Sequence, residues 1–177
     1  MTLLSGTATL VAQVTTDYDR SADFTRYQTY SWEAVHAEDP LFVDRIKTSV
    51  NAALASKGWT EVKSGGAVCI MAMEMTKDHR TLRTYYDSLG SGWSWGWGGG
   101  FGDGFGTSTT TEHTYTVGTL VVDLFDSTTK KLLWRGSAMG TLTEKSENNI
   151  KLLNRGVRKM FDRFPPDKKE HRAKRNT

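Results

Sequence analysis

Apolar residues recur at helical spacing in two stretches of the chain, and this pattern predicts two amphipathic helices. Asp39 suits the N-cap of the first helix and Pro40 its first position, while Gly58 is placed to end it. The second helix is predicted to begin near Ser146, as its N-cap, and to stop at the prolines 165–166. The apolar stripes are Val43, Ile46, Val50, Ala53 and Leu54 in the first helix, and Ile150, Leu153, Val157, Met160, Phe161 and Phe164 in the second. Each stripe needs a flat apolar surface to pack against.

Strand-like alternation occupies much of the remaining chain. Leu120, Val122 and Leu124 share one face of a predicted strand, and residues 126–130 form a turn into a returning strand at 131–136. Methionines alternate in the same way in a third strand, and the simplest interpretation places them on its core face. These are Met71, Met73 and Met75, in the strand predicted over residues 67–75, and residues 79–87 continue this strand or return. The other strand-like stretches are residues 8–14, 27–32 and those from 110 onward.

These elements predict an α+β fold, a two-layer sandwich in which a mostly antiparallel sheet of four or more strands carries two amphipathic helices on one face. The length of 177 residues and an apolar content of 37% fit one globular domain. We expect an N-terminal arm, or a remnant of an export or lipoprotein signal, at 1–9. A single domain follows at 10–166, with a Gly/Trp-rich loop at 88–109, and a basic C-terminal tail occupies 167–177.

The charge distribution bears on the class of partner. The tail has five basic and two acidic residues, and its +3 equals the formal net charge of the whole chain, so residues 1–166 are neutral overall. We therefore expect no specific nucleic-acid partner. No apolar run approaches the ~20 residues of a membrane span, so no transmembrane segment is expected. The one cysteine, Cys69, excludes an intramolecular disulfide and is predicted to be a small core hydrophobe.

The N-terminus raises the question of export. Its first sixteen residues carry no charged side chain and lack the basic region of a complete signal peptide. Leu4-Ser5-Gly6 is the kind of tripeptide that precedes the lipidated cysteine of a bacterial lipoprotein, and Thr7 stands where that cysteine would be. A trimmed or substituted export signal and an ordinary N-terminal arm both agree with these residues.

Several motifs together resemble the bacterial lipoprotein family called domain of unknown function 4136, over about residues 10–166. They are "DYD" at 17–19 followed by Phe24, Tyr27 and "TYSW" at 29–32, "YTVGTLVVDLFDSTTKKLLWRG" at 115–136, and "FPP" at 164–166. The resemblance implies an exported, usually lipid-anchored envelope protein of α+β fold without an established activity, in the bacterial periplasm or associated with the outer membrane. Family members often carry a Gly/Trp-rich insert. This chain departs from the family at Thr7 and at Gly65-Gly66-Ala67, where members tend to have an acidic residue.

Five aromatic residues in the Gly/Trp-rich segment suggest a binding function. Large rigid rings on a flexible Gly/Ser backbone can form an adaptable contact surface for an envelope protein, a glycan or a lipid surface. They are Trp93, Trp95, Trp97, Phe101 and Phe105. An insert that folds onto its own domain fits the same residues. The leading functional prediction is a non-catalytic envelope domain that binds a partner through this loop, of unspecified oligomeric state.

The alternative prediction is a small hydrolase of esters or lactones. Gly92 to Gly96 match G-x-S-x-G, with Ser94 as nucleophile, His113 as base and Asp103 or Asp123 to orient it. The glycines after Ser94 do not favour the helix that a nucleophile elbow requires.

Calcium is the one metal that the sequence brings into question, and no cofactor is expected otherwise. Residues 99–103 fall one residue short of the Gly-Gly-x-Gly-x-Asp calcium turn. Asp103, Asp123 and Asp126 could supply oxygen ligands, although turn capping by Asp126 and pairing of Asp123 with Arg135 explain two of them better. The four histidines lack the spacing of metal ligands.

Overall fold

The computed structural model describes residues 12–86 and 108–166, with side chains at 12–78 and 114–166. Of the described residues, 12–77 and 116–166 belong to one compact unit, and 78–86 and 108–115 belong to a second. In chain order the elements are β1 (Gln13–Tyr18), a 3-10 turn (Phe24–Arg26), β2 (Thr29–His36), α1 (Pro40–Ala55), β3 (Thr60–Glu61), β4 (Val68–Tyr86), β5 (Ser108–Asp126), β6 (Leu132–Thr141) and α2 (Ser146–Phe161).

The strands form one mixed sheet in the order β1-β6-β5-β4-β2-β3. Strand β6 pairs antiparallel with both β1 and β5, whereas β2 pairs parallel with β4 and with β3. The predicted α+β fold is therefore confirmed, with six strands and a parallel portion that the prediction did not specify. The β5–β6 hairpin is also confirmed, with Leu124 opposite Trp134.

The helices pack on one face of this sheet and enclose the hydrophobic core. Helix α1 buries Ile46, Val50 and Leu54, at the spacing that the sequence predicts. The sheet supplies alternate residues of its central strands, and α2 supplies the aromatic end of the core. The sheet residues are Val68, Ile70, Ala72, Leu120, Val122, Leu124 and Trp134, and α2 contributes Leu152, Val157, Met160 and Phe161.

Local chemistry sets the ends of α1 as predicted. The Asp39 carboxylate accepts a hydrogen bond of 2.9 Å from the backbone N–H of Leu41, and Pro40 is the first helical residue. Gly58, at φ +80°, follows the helix in the left-handed region that glycine tolerates.

Helix α2 begins differently from the prediction. Lys145 is the N-cap and makes no side-chain capping bond, while Ser146 is already helical. The preceding segment is held instead by Asn149, whose side chain accepts from the N–H of Thr143 at 2.9 Å and donates to its carbonyl oxygen at 2.8 Å. Ser146 is therefore not the N-cap. The side chain of Asn149, in the first turn of the helix, holds the preceding segment through the backbone of Thr143.

The methionines of β4 correct a further prediction. Met71, Met73 and Met75 are 39%, 47% and 45% exposed, so they do not lie on the core face. The core side of β4 is formed by Val68, Ile70 and Ala72, which are covered by the helices. The alternation was correct but its phase was wrong, because alternation defines two faces without saying which one a helix covers.

Strand β1 runs from Gln13 to Tyr18 and so extends four residues beyond the stretch 8–14 that the sequence predicts. Cys69 is 5% exposed, which confirms its prediction as a buried residue.

Candidate functional site

The sheet has a second face that no described helix covers, and methionines dominate its exposed apolar surface. Met71, Met73 and Met75 lie on this face of β4, and Met139, 45% exposed, lies on β6 opposite Thr119 of β5. We call these four residues the methionine face. Methionine side chains are flexible and polarizable and adapt to varied partners, so their exposure on a flat sheet is chemically suited to binding.

The same side of the sheet carries an ion pair between neighbouring strands. Arg135 Nε and Nη2 donate to the two carboxylate oxygens of Asp123, each at 2.6 Å, which confirms the predicted pairing. Hydrogen bonding to Asp123 raises the pKa of Arg135. Next to this pair, Thr15 and Ser137 hydroxyl oxygens lie 2.7 Å apart. These cross-strand contacts stabilise the sheet and occupy the polar groups beside the methionine face.

Asp126 caps the turn between β5 and β6. Its carboxylate accepts hydrogen bonds from the backbone N–H groups of Thr128 at 3.0 Å and Thr129 at 2.7 Å, and from the Tyr27 hydroxyl at 2.8 Å. The bond from the Thr129 amide, followed by that from Tyr27, lowers the pKa of Asp126 to about 2. Burial, and then the Asp126 contact, raises the pKa of Tyr27. The predicted capping role of Asp126 is confirmed.

The predicted calcium ligands can now be placed in part. Asp123 is held by Arg135 and Asp126 by its turn, while Asp103 lies outside the described residues. Among the residues described, no group of three or more His, Cys, Asp or Glu side chains is arranged to hold a metal ion. Calcium binding by Asp103, Asp123 and Asp126 stays a prediction.

A carboxylate–ammonium contact near this turn had no signal in the sequence. Lys131 Nζ lies 2.5 Å from an oxygen of Asp19, and the Ser21 hydroxyl also donates to Asp19, at 2.7 Å. These hydrogen bonds, led by that from Lys131, lower the pKa of Asp19 to about 2. The partners are distant in sequence, so only the pairing of β1 with β6 brings them together.

A small apolar cavity of about 50 Å³ lies between the helices and the sheet. Phe42, Leu142 and Leu152 line it, and Glu74 is its charged residue. Burial, as the largest cause, raises the pKa of Glu74, whose carboxylate accepts from the backbone N–H of Glu38 at 3.1 Å. The described lining contains no serine, cysteine or histidine, so it does not assemble the nucleophile and base of a hydrolase.

The remaining predicted site residues are not brought together by the described structure. Ser94, Asp103 and the five loop aromatics (Trp93, Trp95, Trp97, Phe101 and Phe105) lie outside the described residues, as does Thr7. His113 belongs to β5, where only the backbone is described. The hydrolase and aromatic-loop hypotheses therefore remain predictions.

Comparison with known proteins gives a family and a fold. The sequence model of the family described as "Domain of unknown function (DUF4136)" matches residues 14–166. A PDZ domain protein from Parabacteroides distasonis ATCC 8503 is similar in structure, with a TM-score of 0.53 and 12% identity. That similarity covers 89% of this chain but only 37% of the other, so this chain spans little more than a third of that protein. It supports the fold alone.

Two further solved structures match with lower TM-scores. A PelC dodecamer from Paraburkholderia phytofirmans has a TM-score of 0.48 and 9% identity, over 85% of this chain and 94% of the other. A minor lipoprotein from Acinetobacter baumannii has a TM-score of 0.36 and 13% identity, over 85% of this chain and 96% of the other. No curated protein matches the sequence. Neither helix of the described structure combines the length and the apolar character that a membrane crossing needs.

Proposed function

Since the chain belongs to the family described as "Domain of unknown function (DUF4136)", we propose that it is a non-catalytic binding domain of the bacterial cell envelope. The observation that carries this proposal is the methionine face, four large apolar side chains exposed on the side of the sheet opposite the helices. An exposed apolar patch on a flat surface favours a role in binding. The envelope location follows from the family resemblance and is part of the proposal.

The chemistry of the methionine face favours a protein as the partner. Thioether side chains offer apolar, deformable contact area and few hydrogen bonds, which suits a protein surface better than a glycan. Strand β4 carries three of the methionines and leads into the Gly/Trp-rich segment in the sequence. We propose that the aromatic residues of that segment add to the contact, as adaptable rings do in other binding loops.

Site-specific photo-crosslinking in cells tests this proposal. A benzophenone amino acid replaces Met73, which is 47% exposed on the methionine face, or Leu41, which is 67% exposed on α1 and serves as the control. We expect an adduct with one partner protein from position 73 and none of that adduct from position 41. A third position, Trp95, tests the contribution of the loop. Equal yields from positions 73 and 41, or no adduct from 73, would contradict the proposal.

The hydrolase hypothesis is a separate proposal that a direct assay distinguishes. Purified protein is incubated with a panel of small esters and lactones, with calcium or with a chelator. The binding proposal predicts that hydrolysis stays at background in the original protein and in the Ser94→Ala variant. Ser64→Ala, in an exposed segment, is the control and should also stay at background. Turnover that disappears with Ser94→Ala and persists with Ser64→Ala would replace the binding proposal with a hydrolase. Sensitivity to the chelator would then implicate calcium.

A further inference from the structure

Charge is separated between the two layers of the fold, although residues 1–166 are neutral in sum. The helices with their flanks at 56–57 and 162–163 carry eight basic and three acidic side chains, a net charge of +5. The rest of residues 12–78 and 114–166 carries eight basic and twelve acidic side chains, a net charge of −4. The basic residues of the helix layer are Arg45, Lys47, Lys57, Lys151, Arg155, Arg158, Lys159 and Arg163, and the acidic ones are Asp44, Glu147 and Asp162.

On the sheet side, three basic residues lie beside carboxylates. Lys130 lies 3.9 Å from Glu33, Lys131 pairs with Asp19, and Arg135 pairs with Asp123. In the helix layer, by contrast, Lys57, Lys151, Arg158 and Lys159 form no ion pair with a carboxylate of the described residues. The positive potential of this layer therefore extends into solvent, where it can attract an anionic surface.

The shape of the helix layer is suited to a broad partner. Each helix has sixteen residues and is about 24 Å long at 1.5 Å per residue. A groove of about 600 Å³ runs between them. Its polar lining has two basic residues, one acidic residue and four neutral ones: Lys57, Arg158, Asp162, Thr48, Ser49, Ser56 and Asn154. Hydroxyl, amide, ammonium and guanidinium donors all bond phosphate oxygens. Ser56 donates to the Ala53 carbonyl oxygen and Lys57 to the Asp162 carbonyl oxygen, so Arg158, Ser49 and Asn154 are donors that the groove offers to a phosphodiester. The long helices add further positive charge on both sides of the groove.

We propose that the outer surface of α1 and α2, which we call the basic helix face, docks on an anionic phospholipid bilayer, with headgroup phosphates in the groove between the helices. Charge complementarity carries this choice of partner. The cations are distributed over the surface of two helices, and mobile lipid headgroups can rearrange to meet distributed charges, which a rigid ligand cannot do. The apolar sides of the helices are buried in the core, so the contact is electrostatic and superficial, without insertion of a helix.

The test is flotation of the full chain with vesicles of phosphatidylglycerol mixed with phosphatidylcholine. Lys151→Glu with Arg158→Glu reverses two charges of the basic helix face, and Lys63→Glu with Lys77→Glu makes the same net change at two exposed residues outside it. Each basic residue near an anionic membrane contributes roughly fivefold in affinity, so we expect the first pair to weaken binding by about 25-fold or more and the second by much less. Raising the salt from about 0.05 to 0.5 M should release the bound protein.

Three outcomes would overturn the proposal. One is that both double variants weaken vesicle binding equally, which would mean that the net charge of the protein, and not the position of the charges, determines binding. Another is loss of binding on removal of residues 167–177 with no effect of Lys151→Glu and Arg158→Glu, which would assign binding to the basic tail. The third is equally tight binding to duplex DNA with the same dependence on these variants, which would make the face a general polyanion surface. Far-UV circular dichroism of each variant verifies that it is folded.

Discussion

Gly136 lies beneath the largest ring of the core, and its substitution tests how tightly that core is packed. An added Cβ would lie 2.4 Å from Cη2 of Trp134 and 2.9 Å from Sδ of Met160. Trp134 cannot easily retreat, since it is 2% exposed and its ring centre lies 4.8 Å from that of Phe161 and 5.4 Å from that of Phe164. Overpacking of this kind costs about 1–3 kcal/mol, and alanine regains about 0.5–1 kcal/mol over glycine in a strand. The difference between these two contributions is about 0–2.5 kcal/mol. Because Trp134 and Met160 are both almost fully buried, we expect Gly136→Ala to lower the free energy of unfolding by about 1–2 kcal/mol, in the upper part of that range.

Urea unfolding followed by far-UV circular dichroism measures this change, with the slope against urea expected to stay constant. Trp134→Phe removes part of the ring that the new methyl group would meet. It should therefore be less damaging in the Gly136→Ala protein than in the original, so the double variant is more stable than the sum of single effects predicts. Gly136→Ala with unchanged stability, or single effects that add within about 0.5 kcal/mol, would refute this account of the packing.

Three further predictions concern other described residues. Gly66→Ala should lower Tm more than Gly136→Ala does, because its Cβ would lie 2.4 Å from the backbone carbonyl carbon of Tyr30, which cannot rotate away as a side chain can. Asp126 has its pKa lowered to about 2 when folded, so its stabilising effect is present above the ordinary value of 3.8 and is lost as the pH falls. The Tm difference between the original protein and Asp126→Asn should therefore shrink between pH 5 and pH 2, and a constant difference would contradict this. Mild peroxide should oxidise Met73, 47% exposed, well before Met160, 1% exposed, as peptide mass spectrometry would show; similar rates would mean that the methionine face is covered.

Features controlled by local chemistry could be predicted from the sequence. The start of α1 follows from Asp39 and Pro40, and its end from Gly58, because capping depends on a few neighbouring residues. The β5–β6 turn follows from Asp126 in the same way. The phase of the β4 methionines could not be predicted, since it depends on which side of the sheet the helices cover. The pairing of Asp19 with Lys131 likewise exists only once β1 lies beside β6.

The candidate surfaces show the same limit. Composition directs attention to the Gly/Trp-rich segment, because its rings and glycines are unusual wherever they lie in the fold. The methionine face required knowledge of the uncovered side of the sheet. The basic helix face is hidden in the sequence for a different reason: charges of opposite sign alternate along the chain between helices and strands, so they cancel in a sum over residues 1–166 and separate only when the layers form.

The two proposed surfaces lie on opposite sides of one sheet, and this arrangement makes them independent. A bilayer docked on the basic helix face leaves the methionine face directed away from the lipid, so vesicle-bound protein should still crosslink its partner from position 73. Charge reversal at Lys151 and Arg158 should weaken vesicle binding without changing the crosslink, and substitution of the methionines by glutamine should have the opposite pattern. If one set of variants impaired both activities while the protein stayed folded, a single shared surface would explain the results better than two. Because the sheet separates the two faces, the crosslink and vesicle binding can be measured on the same set of variants, and either proposal can fail without the other.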